Sequence, residues 1–148
     1  MEKQFNITIN APREKVWKTL WDETTYPKWA AAFCEGSKAI TDWQEGSKVL
    51  FVDGENRGMV SVIERKIPNE YMSFKMLGEL VKGEVDYTTD NALLIAGGFE
   101  NYTLTEQEGT TLLVIDIGGA NMNKDIIDYF MATWPKALAL LKALAEEQ

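Results

Sequence analysis

The sequence predicts an α+β domain in which a curved antiparallel sheet of six or seven strands wraps around one long C-terminal helix, with two short helices after the first strand. Three observations predict it. Between positions 34 and 117, short β-rich runs are punctuated by turn residues at regular spacing, which reads as an antiparallel meander. Beyond position 117 the apolar period changes from that of a strand to that of a helix and keeps it almost to the end of the chain. A sheet with one apolar face needs a cover, and only the last helix is long enough to provide it. A sheet gripping a helix in this way leaves a cavity between the two.

The elements follow in order. Phe5, Ile7 and Ile9 alternate with Asn6, Thr8 and Asn10, the pattern of a half-buried strand. Pro12 is pre-set for the start of a helix, and Val16, Trp17, Leu20 and Trp21 then form one apolar stripe. That stripe reads as core. Tyr26-Pro27-Lys28-Trp29 opens a second short helix, capped by Thr25 or Thr24. Strands are expected at 38–41, 48–52, 58–66, 71–76, 79–87, 99–106 and 111–117. The turns between them include Asp53-Gly54, Leu77-Gly78, Thr89-Asp90-Asn91 and Glu108-Gly109. A helix is expected over 123–146, with Ile126, Ile127, Phe130, Met131, Trp134, Leu138, Leu141 and Leu144 on its apolar side. Phe130, Met131 and Trp134 are expected to face the sheet. Pro135 removes one backbone hydrogen bond and predicts a kink.

Composition bounds the function. At 148 residues the chain reads as one domain, 1–148. The net charge of −8 argues against a nucleic-acid surface, which needs basic residues to neutralise phosphates, and against docking on anionic lipid. Cys34 stands alone and there is no histidine, so neither an intrachain disulfide nor a structural zinc site is expected. No signal region or membrane-length apolar stretch is evident, and the expected location is cytoplasmic. Asn6-Ile7-Thr8 and Asn101-Tyr102-Thr103 match the glycosylation sequon by chance on this reading. Five tryptophans, six phenylalanines and five tyrosines accompany the absent histidine. Aromatic volume without imidazole suits a protein that encloses something apolar better than one built for proton transfer.

The order of short motifs resembles the START-like, or Bet v 1-like, superfamily (SRPBCC). Within it the chain is most similar to the branch named after the activator of heat-shock protein 90 ATPase. The residues that carry the resemblance are Ile9-Asn10-Ala11-Pro12-Arg13-Glu14-Lys15-Val16-Trp17, Tyr26-Pro27-Lys28-Trp29 and Trp43-Gln44-Glu45-Gly46-Ser47. Further ones are Gly58-Met59-Val60 before Ile67-Pro68, Glu108-Gly109-Thr110-Thr111-Leu112, and Trp134-Pro135-Lys136-Ala137-Leu138 before Leu141-Lys142. The resemblance implies a helix-grip fold with an internal pocket for an apolar or amphipathic small molecule. Members of this branch carry a histidine near the position of Asp116, so no role resting on that imidazole is expected here.

The candidate pocket walls are Trp29, Phe33, Phe51, Met59, Phe74, Tyr102, Asp116, Phe130 and Trp134. Trp29 and Phe33 read equally as pocket wall or as ordinary packing. Asp116 shares a strand face with Leu112 and Val114. If that face is inward its carboxylate meets the cavity; if not, it is solvated at a strand end. Glu100 and Tyr102 share a face, and Arg57 with Glu100 is either a buried polar anchor or a pair of solvated edge charges. No catalytic residue, metal ligand or cofactor is expected. The leading function is a small-molecule binding module for a hydrophobic ligand, lipid-like or aromatic. The alternatives are a stress-related domain with a chaperone partner, and a cyclase- or hydratase-type enzyme using Asp116, Tyr102 or Glu100. The expected assembly is a monomer or a weak homodimer.

Overall fold

The computed structural model describes residues 2–147. The elements are β1 (Lys3–Ile9), α1 (Arg13–Trp21), α2 (Tyr26–Ala30), β2 (Lys38–Ile40), β3 (Lys48–Val52), β4 (Gly58–Ile67), β5 (Tyr71–Val81), β6 (Glu84–Asp86), α3 (Asp90–Ile95), β7 (Phe99–Gln107), β8 (Thr110–Gly118) and α4 (Lys124–Glu146). Seven strands form one sheet in the order β1-β8-β7-β5-β4-β3-β2, and β6 pairs with β5 beside that path. The pairings among the described residues are antiparallel. The α+β, helix-grip expectation holds.

The sheet curves because its two longest strands are irregular. The register between β4 and β5 shifts between Val60 and Ser61 and again between Ile63 and Arg65. Each shift leaves one residue unopposed, Leu77 on β5 and Glu64 on β4, and a bulge of this kind bends and twists its strand. Leu77-Gly78 is therefore a bulge and not the expected turn, and β5 runs on to Val81. The glycine answers to crowding: a Cβ there would lie 2.7 Å from the Tyr87 ring and 2.8 Å from the Asp86 carbonyl oxygen. The reversal comes at Lys82 and Gly83, both at positive φ (51° and 82°), a two-residue hairpin turn matched to strand twist.

A second correction concerns Thr89-Asp90-Asn91, expected as a turn. Thr89 is instead the N-cap of α3, and its Oγ1 accepts the Ala92 N–H at 3.0 Å. Thr25 does precede α2, but its hydroxyl makes no cap. It donates to the Thr19 carbonyl at 2.7 Å and ties α2 back to α1.

The last helix begins where the period change places it. Asn123 caps it, its Oδ1 accepting the Ile126 N–H at 3.0 Å, and α4 runs unbroken through Pro135. Trp134, Ala137, Leu138, Leu141 and Ala145 form its buried side against α1, α2 and β1. Met131 does not face the sheet; it is 44% exposed. At that level the buried arc runs through Phe130, Thr133 and Trp134, and Met131 lies on the flank beyond it. Lys142 anchors the far end, its Nζ donating to the Thr8 carbonyl at 2.8 Å and to Glu146 at 2.6 Å.

Candidate functional site

The inward face of the sheet is filled unevenly. Toward β1 and β8 it is solid: Ile9, Leu113 and Ile115 are fully buried. Toward β3 and β4 it is not, and a cavity of about 460 Å³ opens between the sheet and the helices. That volume is of the size that holds small organic ligands.

Each wall has a local cause. Tyr26, Trp29 and Ala30 come from α2, where helical spacing turns all three toward α4. The Trp29 ring is fixed by its Nε1, which donates to the Leu20 carbonyl at 3.1 Å. Phe33 follows α2 and packs edge-on against Trp134, ring centres 5.0 Å apart. Phe51 and Met59 are cross-strand partners of β3 and β4 on the inward face. Ile126, Tyr129, Phe130 and Trp134 descend from α4, while Asn91 and Ile95 come from α3. Cys34, Arg57, Asn91 and Tyr129 are exposed as well as lining, so they mark the mouth. The Tyr129 hydroxyl donates to the Phe33 carbonyl at 2.7 Å and joins the two sides there.

Of the candidate walls, the structure brings Trp29, Phe33, Phe51, Met59, Tyr102, Phe130 and Trp134 to this cavity. It does not bring Phe74 or Asp116. Phe74 faces inward as alternation requires, but Trp21, Phe51 and Tyr102 pack around it, and it is a core residue 1% exposed. Asp116 lies on the outer face. Leu113, Ile115 and Ile117 take the inward positions of β8, and the Asp116 carboxylate instead accepts a hydrogen bond of 2.9 Å from Gln4 Nε2. The paired reading of Arg57 with Glu100 is also corrected. Arg57 meets Asp53 at 3.1 Å and Glu55 at 3.0 Å, at the mouth.

The list of walls omitted Tyr26, Ile95, Ile126 and Tyr129 among others, and it omitted Glu100. Glu100 sits on the inward face of β7, between Phe74 of β5 and Ile117 of β8 and two positions from Tyr102. The signal was present: choosing Tyr102 as a wall obliges Glu100 to share its face. The Tyr102 hydroxyl donates to Glu100 Oε1. No cation is paired with Glu100 among the described residues. Burial pushes its carboxyl up to about 7, against the lowering effect of the Tyr102 hydrogen bond. Tyr26 and Tyr102 are raised above the usual phenol value, first by burial and then by the nearby Glu100 charge. Trp134 Nε1 is buried with no hydrogen-bond partner among the described residues. The site is thus a largely aromatic chamber with one carboxyl–phenol pair inside it. Such a chamber can exclude water from an apolar molecule, hold one polar group of that molecule, and give or take a proton near neutral pH.

A family model described as Activator of Hsp90 ATPase homolog 1-like protein matches residues 10–146. The chain belongs to this family. The matched span takes in α1 to α4 and every wall of the cavity, and it places the chain in the START-like superfamily. No curated protein matches the sequence. Among solved structures, protein MLL2253 from Mesorhizobium loti superposes with a TM-score of 0.76 at 15% identity, covering 97% of this chain and 96% of that one. The Aha1 dimer from Colwellia psychrerythraea gives 0.75 at 18% identity, covering 99% and 96%. CalU16 from Micromonospora echinospora gives 0.68 at 16% identity, covering 98% and 76%. At these identities the likenesses establish the fold of this family member. Among the described residues no helix is long and apolar enough to cross a membrane.

Proposed function

We propose that this family member is a binding module that holds one small, mainly hydrophobic molecule in the cavity between its sheet and α4. The observation that carries the reading is the unfilled chamber itself. A cleft of about 460 Å³ beside Trp134 leaves its aromatic walls without packing partners on that side, which a fold that needed only stability has no reason to keep. Trp29, Phe33, Phe51, Met59, Tyr102, Phe130 and Trp134 are the proposed contact residues, with Glu100 as the polar anchor. The open interior favours this reading over a chaperone-associated domain that works through its surface alone.

A second reading rests on Glu100. A carboxyl titrating near 7 beside a phenol in a water-poor chamber is suited to general acid–base work, as a cyclase or hydratase requires. Both readings need the same occupant. Native mass spectrometry of the protein purified from its own organism is the direct test. A single adduct of defined small mass, lost on denaturation, is expected. Protein that is free of any small molecule under gentle ionisation, and stays so after incubation with hydrophobic extracts of that organism, contradicts the proposal.

A further inference from the structure

The charges that line the cavity are lopsided. Glu100 lies inside it, and Asp53 and Glu79 also contribute to its wall. Arg57 is the one cation among the described lining residues. Its side chain is 62% exposed and bridged to Asp53 and Glu55. Among the described residues no cation therefore neutralises Glu100, and its carboxyl has an oxygen left over after the Tyr102 hydroxyl has taken Oε1.

Four aromatic rings of the same cavity form a continuous chain that ends on Tyr102, the hydrogen-bond partner of that carboxyl. Tyr26 and Trp29 have ring centres 5.1 Å apart, Trp29 and Trp134 6.2 Å, and Trp134 and Tyr102 6.1 Å. Ring faces are electron-rich and attract cations, most strongly where water is excluded. An unpaired carboxylate at the end of such a chain of rings attracts the same species, and the two effects add. An anionic headgroup meets the opposite situation: no free donor cation, and repulsion from Glu100, Glu79 and Asp53.

Building on the binding function proposed above, we propose that the ligand is a cationic amphiphile, an alkyl or aryl amine or quaternary ammonium, whose charged head rests against Glu100 beside these rings. Fatty acids and other anionic amphiphiles are rejected. A cavity of about 460 Å³ suits a short apolar portion, of the order of ten carbons.

The pH response follows from the groups that face Glu100. Its own strand offers Tyr102, and α2 offers Tyr26. Its cross-strand neighbours Phe74 and Ile117 carry no charge. The rest of the chamber adds Asp53 and Arg57 from the β3–β4 corner, Glu79 from β5, Tyr129 from α4, and Cys34 after α2. Tyr26, Tyr102 and Tyr129 are all held above the ordinary phenol value, and Asp53 is held below the ordinary carboxylate value by the backbone N–H groups of Arg57 and Glu55. None of these four changes charge near neutrality. Glu100 does, because burial raises it to about 7. A permanent cation binds the ionised form better, so its affinity rises with pH through that value.

The test is a calorimetric titration of the whole protein with decyltrimethylammonium, decanol and decanoate, at about pH 6 and about pH 8. The cation is expected to bind roughly tenfold more tightly than decanol at the higher pH, the scale of one desolvated cation–π contact. Its affinity should rise between the two pH values, and decanoate should bind weakest. Glu100→Gln should lower the ratio of cation to alcohol affinity to what the rings alone supply and remove its pH dependence. The wild-type pH profile stands as an independent readout if that variant folds poorly. If decanol or decanoate matches the cation, or the cation's affinity does not rise with pH, the cationic ligand class is wrong while the binding function stands. If none of the three binds saturably, the binding function falls and this inference with it.

Discussion

Glu100 shows how one residue's surroundings set its chemistry. An exposed carboxyl at the same position would be an ordinary surface charge; buried beside Tyr102 it is held between its two protonation states near neutrality. The stability consequence has a definite sign. The folded protein favours the neutral form, so the group binds its proton more tightly folded than unfolded. Its contribution is fully present below about 4.5, the ordinary value, and is lost as pH rises toward and through about 7. Thermal melts of wild type and Glu100→Gln between those pH values should show the wild type losing ground steadily relative to the variant. Parallel curves would mean that Glu100 is not buried as described. Trp134 carries a different load. It packs against Phe5, Trp29, Phe33 and Tyr102, yet borders the cavity on one side. Trp134→Ala is expected to cost about 3 kcal/mol in denaturant unfolding, the lower end for a deleted core aromatic, because that side already lacks partners. A loss under about 1 kcal/mol would remove it from the core. At this scale the sequence was legible wherever a residue's type matched its burial. Trp29, Phe51, Met59 and Phe130 could be placed by alternation and helical spacing. Asp116 and Glu100 were not resolved in the same way. Each is a carboxylate in a β-rich run, and only the inward direction of its strand separates the two.

The elements divide by whether their signals were local. β3 and α4 were legible almost to the residue, since the first is bounded by Gly46-Ser47 and Asp53-Gly54 and the second by its cap and its apolar stripe. The junction of β5 and β6 was not. Gly78 looks like a turn residue, and only its closeness to Tyr87 and Asp86 across the hairpin explains it as part of a strand. The α3 segment was missed because it is a short helix between strands, with a cap made of residues that also favour turns. Its position matters, for it brings Asn91 and Ile95 to the cavity. Thr89→Ala removes the hydroxyl that accepts the Ala92 N–H and should cost about 1 kcal/mol locally. Amide exchange is the appropriate measurement. Faster exchange confined to residues 92–96 is expected, and unchanged protection there would show that the cap does not hold this helix.

For the whole molecule, what was legible is the plan of a sheet wrapped around a helix, because the change of period after Ile117 and the need to cover an apolar face allow few alternatives. That such a grip leaves a cavity was legible too, but its extent and which side chains line it were not legible from pattern alone. Whether inward side chains meet or stop short depends on sheet curvature, here set by the bulges at Glu64 and Leu77, and bulges leave little trace in residue type. The chamber is the feature on which the account stands, and filling it is the most direct test. Wild type and Met59→Trp should be titrated with the uncharged fluorescent probe N-phenyl-1-naphthylamine, with circular dichroism confirming that the variant keeps its fold. The account predicts saturable binding near one probe per chain for the wild type and at least a tenfold loss of affinity when the larger ring occupies the space beside Phe51. Non-saturable binding by the wild type, or equal affinity in a folded Met59→Trp variant, would contradict it.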